Sequence, residues 1–150
     1  RTGAGDVQVM SAGSGGRHAE YNLEDETTTL FQIWIMPNQR GGDASWGAKP
    51  FPKDAREGKF VVLASGIKGD GDEVLPIRTD ARVLGATIPA GETVVYDLGA
   101  HRHAYLVPSA GAIEVNGVRL DARDGAAITG EDVLTLKALE DAEVVMVDAT

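Results

Sequence analysis

The sequence predicts an all-β fold. Short apolar runs recur along the 150 residues, roughly 8 to 12 residues apart, and turn residues separate them. Nineteen glycines and six prolines accompany only three phenylalanines, three tyrosines and two tryptophans, which favours many turns around a core of smaller aliphatic side chains. No segment carries the sustained period of a long helix. Short strands spaced in this way are typical of a sandwich or a barrel.

Two strands are predicted in the first 38 residues. Residues 7–10 (VQVM) form a short strand. Residues 29–36 (TLFQIWIM) form a longer, nearly continuous apolar strand, which Pro37 and Asn38 end. A strand that is apolar on both faces requires cover on both faces.

The next segment, residues 38–58, reads as a linker. It is polar and rich in glycine and proline, and it has no sustained hydrophobic period. It is expected to hold at most a turn of helix at residues 52–56. This segment is the candidate domain boundary.

The remaining strands are predicted in residues 59–150. The clearest hairpin covers residues 112–120 (AIEVNGVRL), where Asn116-Gly117 lies between two alternating runs and favours a type I′ turn. Asp124-Gly125 predicts the next turn. Further strands are expected at residues 59–65, 81–88, 132–139 and 143–148.

Charge and composition exclude several functions. There are 23 acidic and 14 basic residues, for a net charge of -9, so direct nucleic-acid binding is not expected. The absence of cysteine excludes a disulfide framework, a catalytic thiol and a thiolate metal site. No apolar run reaches the roughly 18 residues of a membrane span. These features fit a soluble, cytoplasmic protein with no membrane partner.

His18 and Glu20 are the first candidates for chemistry. On a strand, two residues at this spacing point to the same face, so an imidazole and a carboxylate could share one metal ion. The preceding glycines, Gly13, Gly15 and Gly16, favour a close-packed turn. A lone His-x-Glu is more commonly a solvated or hydrogen-bonded pair, and that interpretation stays open on spacing alone.

Other candidates favour structural interpretations. His101 and His103 have the spacing of two metal ligands, but no third histidine or nearby carboxylate accompanies them. The loop at residues 68–73 (KGDGDE) lacks the ligand pattern of a calcium loop and reads as a solvated turn. Trp34 and Trp46 are expected to pack rather than to stack on a ligand. The sequence contains no motif for a nucleophilic serine or a phosphate-binding loop.

Residues 7–37 (VQVMSAGSGGRHAEYNLEDETTTLFQIWIMP) resemble the segment that closes the N-terminal cupin barrel of pirin-like proteins, and the EVNGVRL and EVVMVD elements are similar too. The resemblance implies two cupin barrels, each a double-stranded β-helix of jelly-roll type. Residues 1–38 would supply the final strands of a partial, metal-binding first barrel. Residues 39–58 would be the linker, and residues 59–150 a complete second barrel without metal.

The resemblance also implies a metal site. Family members hold one divalent metal ion with three histidines and one glutamate, and the last two of these ligands fall on His18 and Glu20. The first two come from an upstream His-x-His motif that this sequence does not contain, so full binding would need upstream ligands. Iron is favoured, while zinc, nickel, manganese, cobalt and copper stay open.

The activity that the resemblance implies is oxidation of a quercetin-type flavonol by dioxygen, with His18 as a metal ligand and Glu20 as both ligand and general base. The alternatives are a non-enzymatic, metal-binding interaction or regulatory protein, and a structural fragment that is inactive by itself. Without the first strands of its barrel, the strand at residues 29–36 would expose a sheet edge. That edge is expected to pair with a second copy or with the N-terminal fragment.

Overall fold

The computed structural model of the chain describes residues 2–150. These residues form twelve strands and one turn of 3-10 helix, namely β1 (Val7–Ser11), β2 (Ser45–Lys49), the 3-10 turn (Asp54–Arg56), β3 (Val61–Ser65), β4 (Leu75–Pro76), β5 (Ala81–Ile88), β6 (Thr93–Asp97), β7 (His103–Ala110), β8 (Ile113–Val115), β9 (Val118–Leu120), β10 (Ala126–Thr129), β11 (Val133–Ala138) and β12 (Ala142–Ala149). The all-β prediction is confirmed. Within the described residues, no helix is long and apolar enough to cross a membrane.

Strands β3 to β12 build two sheets around one core, and we call this unit the barrel. One sheet has the order β10-β7-β12-β5-β3-β4 and the other the order β6-β11-β8-β9. Alternate residues of β12 are buried, because successive side chains of a strand point to opposite faces. The core between the sheets is filled by aliphatic side chains, the largest of them being Leu84, Ile88, Leu106, Ile113, Leu134, Leu136 and Met146.

The predicted hairpin is confirmed as β8 and β9. Asn116 has a φ of 46° and Gly117 a φ of 82°, the left-handed backbone that a type I′ turn requires. The next turn lies at residues 122–123, two residues before its predicted position. Arg123 takes a φ of 74°, and the Asp124 carboxylate accepts a 2.9 Å hydrogen bond from the N–H of Asp121.

A small sheet covers the outer face of the six-stranded sheet. Strand β1, which was predicted, pairs antiparallel with β2, and its Val7 and Val9 pack on a second apolar cluster that includes Leu63, Leu75 and Val83. Strand β2 lies inside the segment predicted to hold only a turn of helix, so that prediction was incomplete. The reason is that β2 (SWGAK) has little apolar character and depends on pairing with a distant strand. The predicted turn of helix is confirmed as the 3-10 turn.

The strand predicted at residues 29–36 is wrong. This segment has no regular structure, and no strand lies beside it among residues 2–150 to pair with its backbone groups. Trp34 is 87% exposed and Met36 82% exposed, whereas Ile35 packs on the second apolar cluster. The packing predicted for the tryptophans is not seen within this chain, and packing of Trp34 against further polypeptide stays a prediction. Trp46 is 65% exposed and donates a 3.2 Å hydrogen bond from its ring N–H to Gln8.

Candidate functional site

His18 and Glu20 lie in the segment between β1 and β2, residues 12–44, which contains turns and bends but no strand. Both side chains are exposed. The condition of the sequence argument, that the pair lies on a strand, is therefore not met. Among residues 2–150, no three histidine or acidic side chains are grouped closely enough to hold a metal ion. A catalytic zinc-type site takes three protein ligands, so these two residues alone do not fit one.

The backbone before His18 is shaped by glycine. Gly13 has a φ of 55°, and a Cβ at this position would lie 2.4 Å from the carbonyl oxygen of Gly42. The N–H of Gly15 donates a 2.8 Å hydrogen bond to the carbonyl of Ala12 and closes a turn. The close-packed turn predicted from these glycines is thus present, and it brings the start of the segment against residues 42–44 near its other end.

His101 and His103 lie at the start of β7. The Nδ1 atom of His103 is 3.0 Å from Thr129 Oγ1 on the neighbouring strand β10. His101 is exposed in the preceding turn. Between them, Arg102 is turned towards the carboxylate of Asp148. Sequence reasoning found the two histidines and missed the arginine that links this turn to the interior.

Asp148 is the centre of a polar cluster at one end of the barrel interior. It is fully buried, and its carboxylate accepts hydrogen bonds from Tyr96 Oη at 2.6 Å and from Arg102 Nε at 2.5 Å. Arg82 Nη1 lies 3.5 Å from the same carboxylate. A buried carboxylate needs such partners, because leaving it unpaired costs several kcal/mol. Burial, followed by the bond to Asp148, raises the pKa of Tyr96 to about 12.

The cluster continues into the loop at residues 68–73. Arg82 donates two hydrogen bonds to the Asp70 carboxylate, at 2.7 and 2.8 Å, and Ser65 Oγ donates a third at 2.5 Å. The hydrogen bond from Arg82 is the main reason that the pKa of Asp70 is lowered. The prediction of a purely solvated turn is therefore wrong for Asp70. The pattern could not show this, because its partners lie on β3 and β5.

One sequence signal could have found Asp148. Strand β12 alternates, and its inward positions are Ala142, Val144, Met146 and Asp148. An aspartate in register with three core residues indicates a buried charge that requires a cation. Tyr96 and Arg102 are hydrogen-bonded to Asp148 and Arg82 is hydrogen-bonded to Asp70, so the polar groups of this cluster are already paired with one another.

Comparison with known proteins gives a consistent assignment. Residues 62–149 match the family model of the quercetinase C-terminal cupin domain, and residues 1–35 match the pirin family model. The cupin fold predicted for the C-terminal part is thereby confirmed. The match to residues 1–35 includes His18 and Glu20.

Individual relatives agree. A pirin-like protein of Caulobacter vibrioides is 70% identical over 149 residues, and the quercetin 2,3-dioxygenase of Escherichia coli K12 is 34% identical over 146 residues. These alignments cover 99% and 97% of this chain but only 64% and 61% of the relatives. A crystal structure of a bacterial pirin from Escherichia coli, in complex with nickel(II), superposes with a TM-score of 0.86 at 30% identity, over 99% of this chain and 62% of that one.

Proposed function

The chain belongs to the pirin family of cupin proteins, and from this membership we propose that it is part of a metal-dependent oxygenase that oxidises a flavonol-type substrate with dioxygen. The observation that carries the proposal is the Escherichia coli relative named quercetin 2,3-dioxygenase, which aligns with 97% of this chain. The nickel(II) complex of an Escherichia coli pirin supports a metal ion as the cofactor. The activity is proposed for a protein of the relatives' length, because this chain spans under two-thirds of that length.

We propose that His18 and Glu20 supply two of the metal ligands. They offer one nitrogen and one oxygen donor, a combination that accepts several divalent first-row ions, of which iron is the one we expect. Two donors do not complete a site, so the other ligands would come from sequence outside the 150 residues. Glu20 is also the proposed general base, since its exposed carboxylate is accessible to a substrate hydroxyl.

The proposal is tested on a protein of the relatives' full length, with His18→Ala and Glu20→Ala as the variants and His101→Ala as the matched control. Metal content is measured by mass spectrometry of digested protein, and turnover by oxygen uptake with quercetin. Both ligand variants should lose most of the bound metal and the oxygen uptake, while the control keeps both. Metal retained at full stoichiometry in both ligand variants would reject these two residues as ligands.

A second proposal concerns partners. The exposed apolar side chains of Leu30, Trp34 and Met36 support the expectation that residues 29–36 are covered by further polypeptide, either upstream sequence or a second copy. The same family membership supports the proposed division of the chain into the final strands of a first barrel (residues 1–38), a linker (residues 39–58) and a second barrel (residues 59–150). A native mass spectrum reports subunit number, any retained fragment and bound metal together. A monomer of the relatives' full length in which Trp34 fluoresces as in water, measured in a Trp46→Phe background, would contradict the covering.

A further inference from the structure

A cavity of about 670 Å³ lies beside the loop of residues 38–43, against two loops of the barrel, residues 66–68 and 77–80. This volume is within the range of small-molecule sites, about 300–1,000 Å³. The cavity is lined by the last residues of the segment at 12–44, but neither His18 nor Glu20 lines it, and nothing in the metal proposal uses it.

Hydrogen bonds fix both ends of the cavity loop to the barrel. At the first end, the N–H of Asn38 donates to the carbonyl of Arg78 at 2.9 Å, and Thr79 Oγ1 donates to Asn38 Oδ1 at 2.8 Å. At the second end, Arg78 Nη2 donates to the carbonyl of Asp43 at 2.7 Å and to Ser45 Oγ at 3.5 Å. The loop is therefore held open over the cavity by contacts with one short stretch of the barrel.

Three cationic side chains from separate segments line this cavity, Arg40, Lys68 and Arg78. Arg78 is engaged in holding the loop. Arg40 and Lys68 are exposed and make no hydrogen bond or ion pair with any other residue from 2 to 150. The chain as a whole carries a net charge of -9, so a site with two unpaired cationic side chains beside a third differs in charge from the rest of the surface.

Two carboxylates also line the cavity, and they differ in their partners. Asp80 forms an ion pair with Arg102 at 3.0 Å, and Arg102 does not line the cavity, so the charge of Asp80 is compensated by a residue outside it. Asp43 uses its main-chain carbonyl to hold Arg78, and its carboxylate forms no ion pair within the described chain. The unpaired charged groups of the cavity, within the described residues, are thus two cationic donors and one carboxylate acceptor.

Backbone N–H groups of the same loop are also without partners in the described chain. The N–H groups of residues 39–43 donate no hydrogen bond to a group in the described part of the chain. Gly41 and Gly42 have φ values of 77° and 84°, so this part of the loop takes a backbone that other residues rarely adopt and carries no side chain towards the cavity.

We propose that this cavity binds a small oxyanion that also carries hydroxyl groups, such as a hydroxycarboxylate or a sugar phosphate. Guanidinium, ammonium and backbone N–H groups together bind carboxylate or phosphate oxygens through charge-assisted hydrogen bonds. The Asp43 carboxylate accepts from a ligand hydroxyl and disfavours a bare anion. Large polyanions such as nucleic acids are repelled by the rest of the acidic surface.

The test uses a protein of the relatives' full length and two-dimensional ¹⁵N–¹H spectra, in which the amides of Gly41, Gly42 and Gly66 report on the cavity. Citrate and glucose 6-phosphate are the probes, with glucose and sodium chloride at matched ionic strength as the neutral and ionic controls. Saturable shifts of these glycine amides with at least one probe, with a dissociation constant of about 1 mM or tighter, are expected. The probe that binds identifies the oxyanion as carboxylate or phosphate.

Variants test the assignment of the groups. The double change Arg40→Gln/Lys68→Gln should weaken binding about tenfold or more. The matched double change Lys59→Gln/Lys137→Gln removes the same charge from exposed positions outside the cavity and should alter it by less than about threefold. Binding that survives unchanged in the first variant would overturn the proposal, as would shifts that chloride reproduces or the absence of saturation with both probes. None of these measurements involves metal, so the outcome is independent of the proposed oxygenase function.

Discussion

At the scale of single residues, Asp148 controls the end of the barrel. Its buried carboxylate compensates Arg102 and lies close to Arg82, and it accepts the phenol of Tyr96. Asp148→Ala should lower the free energy of unfolding by about 1–3 kcal/mol, because Tyr96 loses its acceptor and Arg102 keeps only Asp80 as a carboxylate partner. Asp148→Asn keeps the shape and one acceptor and should cost less.

Urea unfolding of the two variants beside wild type measures this effect. Asp97→Ala is the control, because Asp97 is exposed at the end of β6 and the change should stay within about 0.5 kcal/mol of wild type. Equal costs for the alanine changes at positions 97 and 148 would show that the cluster does not stabilise the barrel.

Tyr96 gives the cluster an alkaline limit. Its pKa is raised from 10.0 to about 12, chiefly by burial, so the folded state favours the protonated phenol. This contribution to stability is fully present below about pH 10 and is lost as the pH rises through about 12. Between about pH 9 and about pH 11.5, the free energy of unfolding should therefore decrease less in Tyr96→Phe than in wild type. Parallel pH dependence in the two proteins would contradict the assignment.

Arg56 is a buried cation that, unlike the arginines around Asp148, forms no ion pair within the described residues. It is 8% exposed, its Nε has no hydrogen-bond partner within residues 2–150, and burial lowers its pKa. Its guanidinium lies between two glycines. A Cβ at Gly85 would be 2.5 Å from Nη1, and one at Gly5 would be 3.4 Å from Nη2. The position therefore accommodates the shape of the side chain but leaves Nε without a hydrogen bond, and the interaction with the Glu143 carboxylate is weaker than the effect of burial on the pKa.

Arg56→Met should raise the free energy of unfolding by about 1 kcal/mol or more, because an apolar chain fills the same space without the cost of a buried charge. Thermal and urea unfolding check the direction. Arg123→Met, at an exposed arginine, controls for the loss of one positive charge. A clear loss of stability in Arg56→Met alone would mean that the interaction with Glu143 outweighs the cost of burying the guanidinium.

At the scale of elements, the β8–β9 hairpin separates two effects at one residue. Asn116 adopts a left-handed backbone, and its side chain accepts a 2.8 Å bond from the N–H of Thr135 and donates a 3.1 Å bond to the carbonyl of Val133. Asn116→Ala loses both advantages and should cost about 1–3 kcal/mol. Asn116→Gly keeps the backbone freedom and should lie between that variant and wild type in urea unfolding. A glycine variant as destabilised as the alanine variant would assign the whole effect to the side-chain bonds.

Strands were predictable where the local pattern and the final environment agree. Residues 81–88 alternate or run apolar, end at a proline turn, and form β5 with the predicted bounds. The predictions for β2 and for residues 29–36 were wrong in opposite ways: a strand was missed in the first case and wrongly predicted in the second. The first has little apolar character and is a strand because β1 lies beside it, whereas the second has a strong apolar pattern and no neighbour within the described chain. Pairing is a non-local property that a pattern does not contain.

At the scale of the whole molecule, the candidate metal ligands were found from a motif and a resemblance, not from a converging geometry. His18 and Glu20 lie exposed outside any strand, so the physical argument from spacing does not apply to the structure. The cavity proposed to bind an oxyanion could not be predicted from sequence motifs. As in the Asp148 cluster, its residues are far apart in the sequence. Its cations come from positions 40, 68 and 78, and only the folded loops bring them together.

The pairing of β1 with β2 has a consequence for the segment between them. Ser11 lies opposite Ser45, so residues 12–44 form a closed loop whose base is fastened to the barrel, rather than a free arm. The chain entropy of closing that loop is already lost when the barrel folds. When a ligand or polypeptide orders His18 and Glu20, the conformational entropy lost on binding is therefore only that of the chain within the closed loop. A change that frays β1 from β2 should weaken such binding without altering a single contact residue.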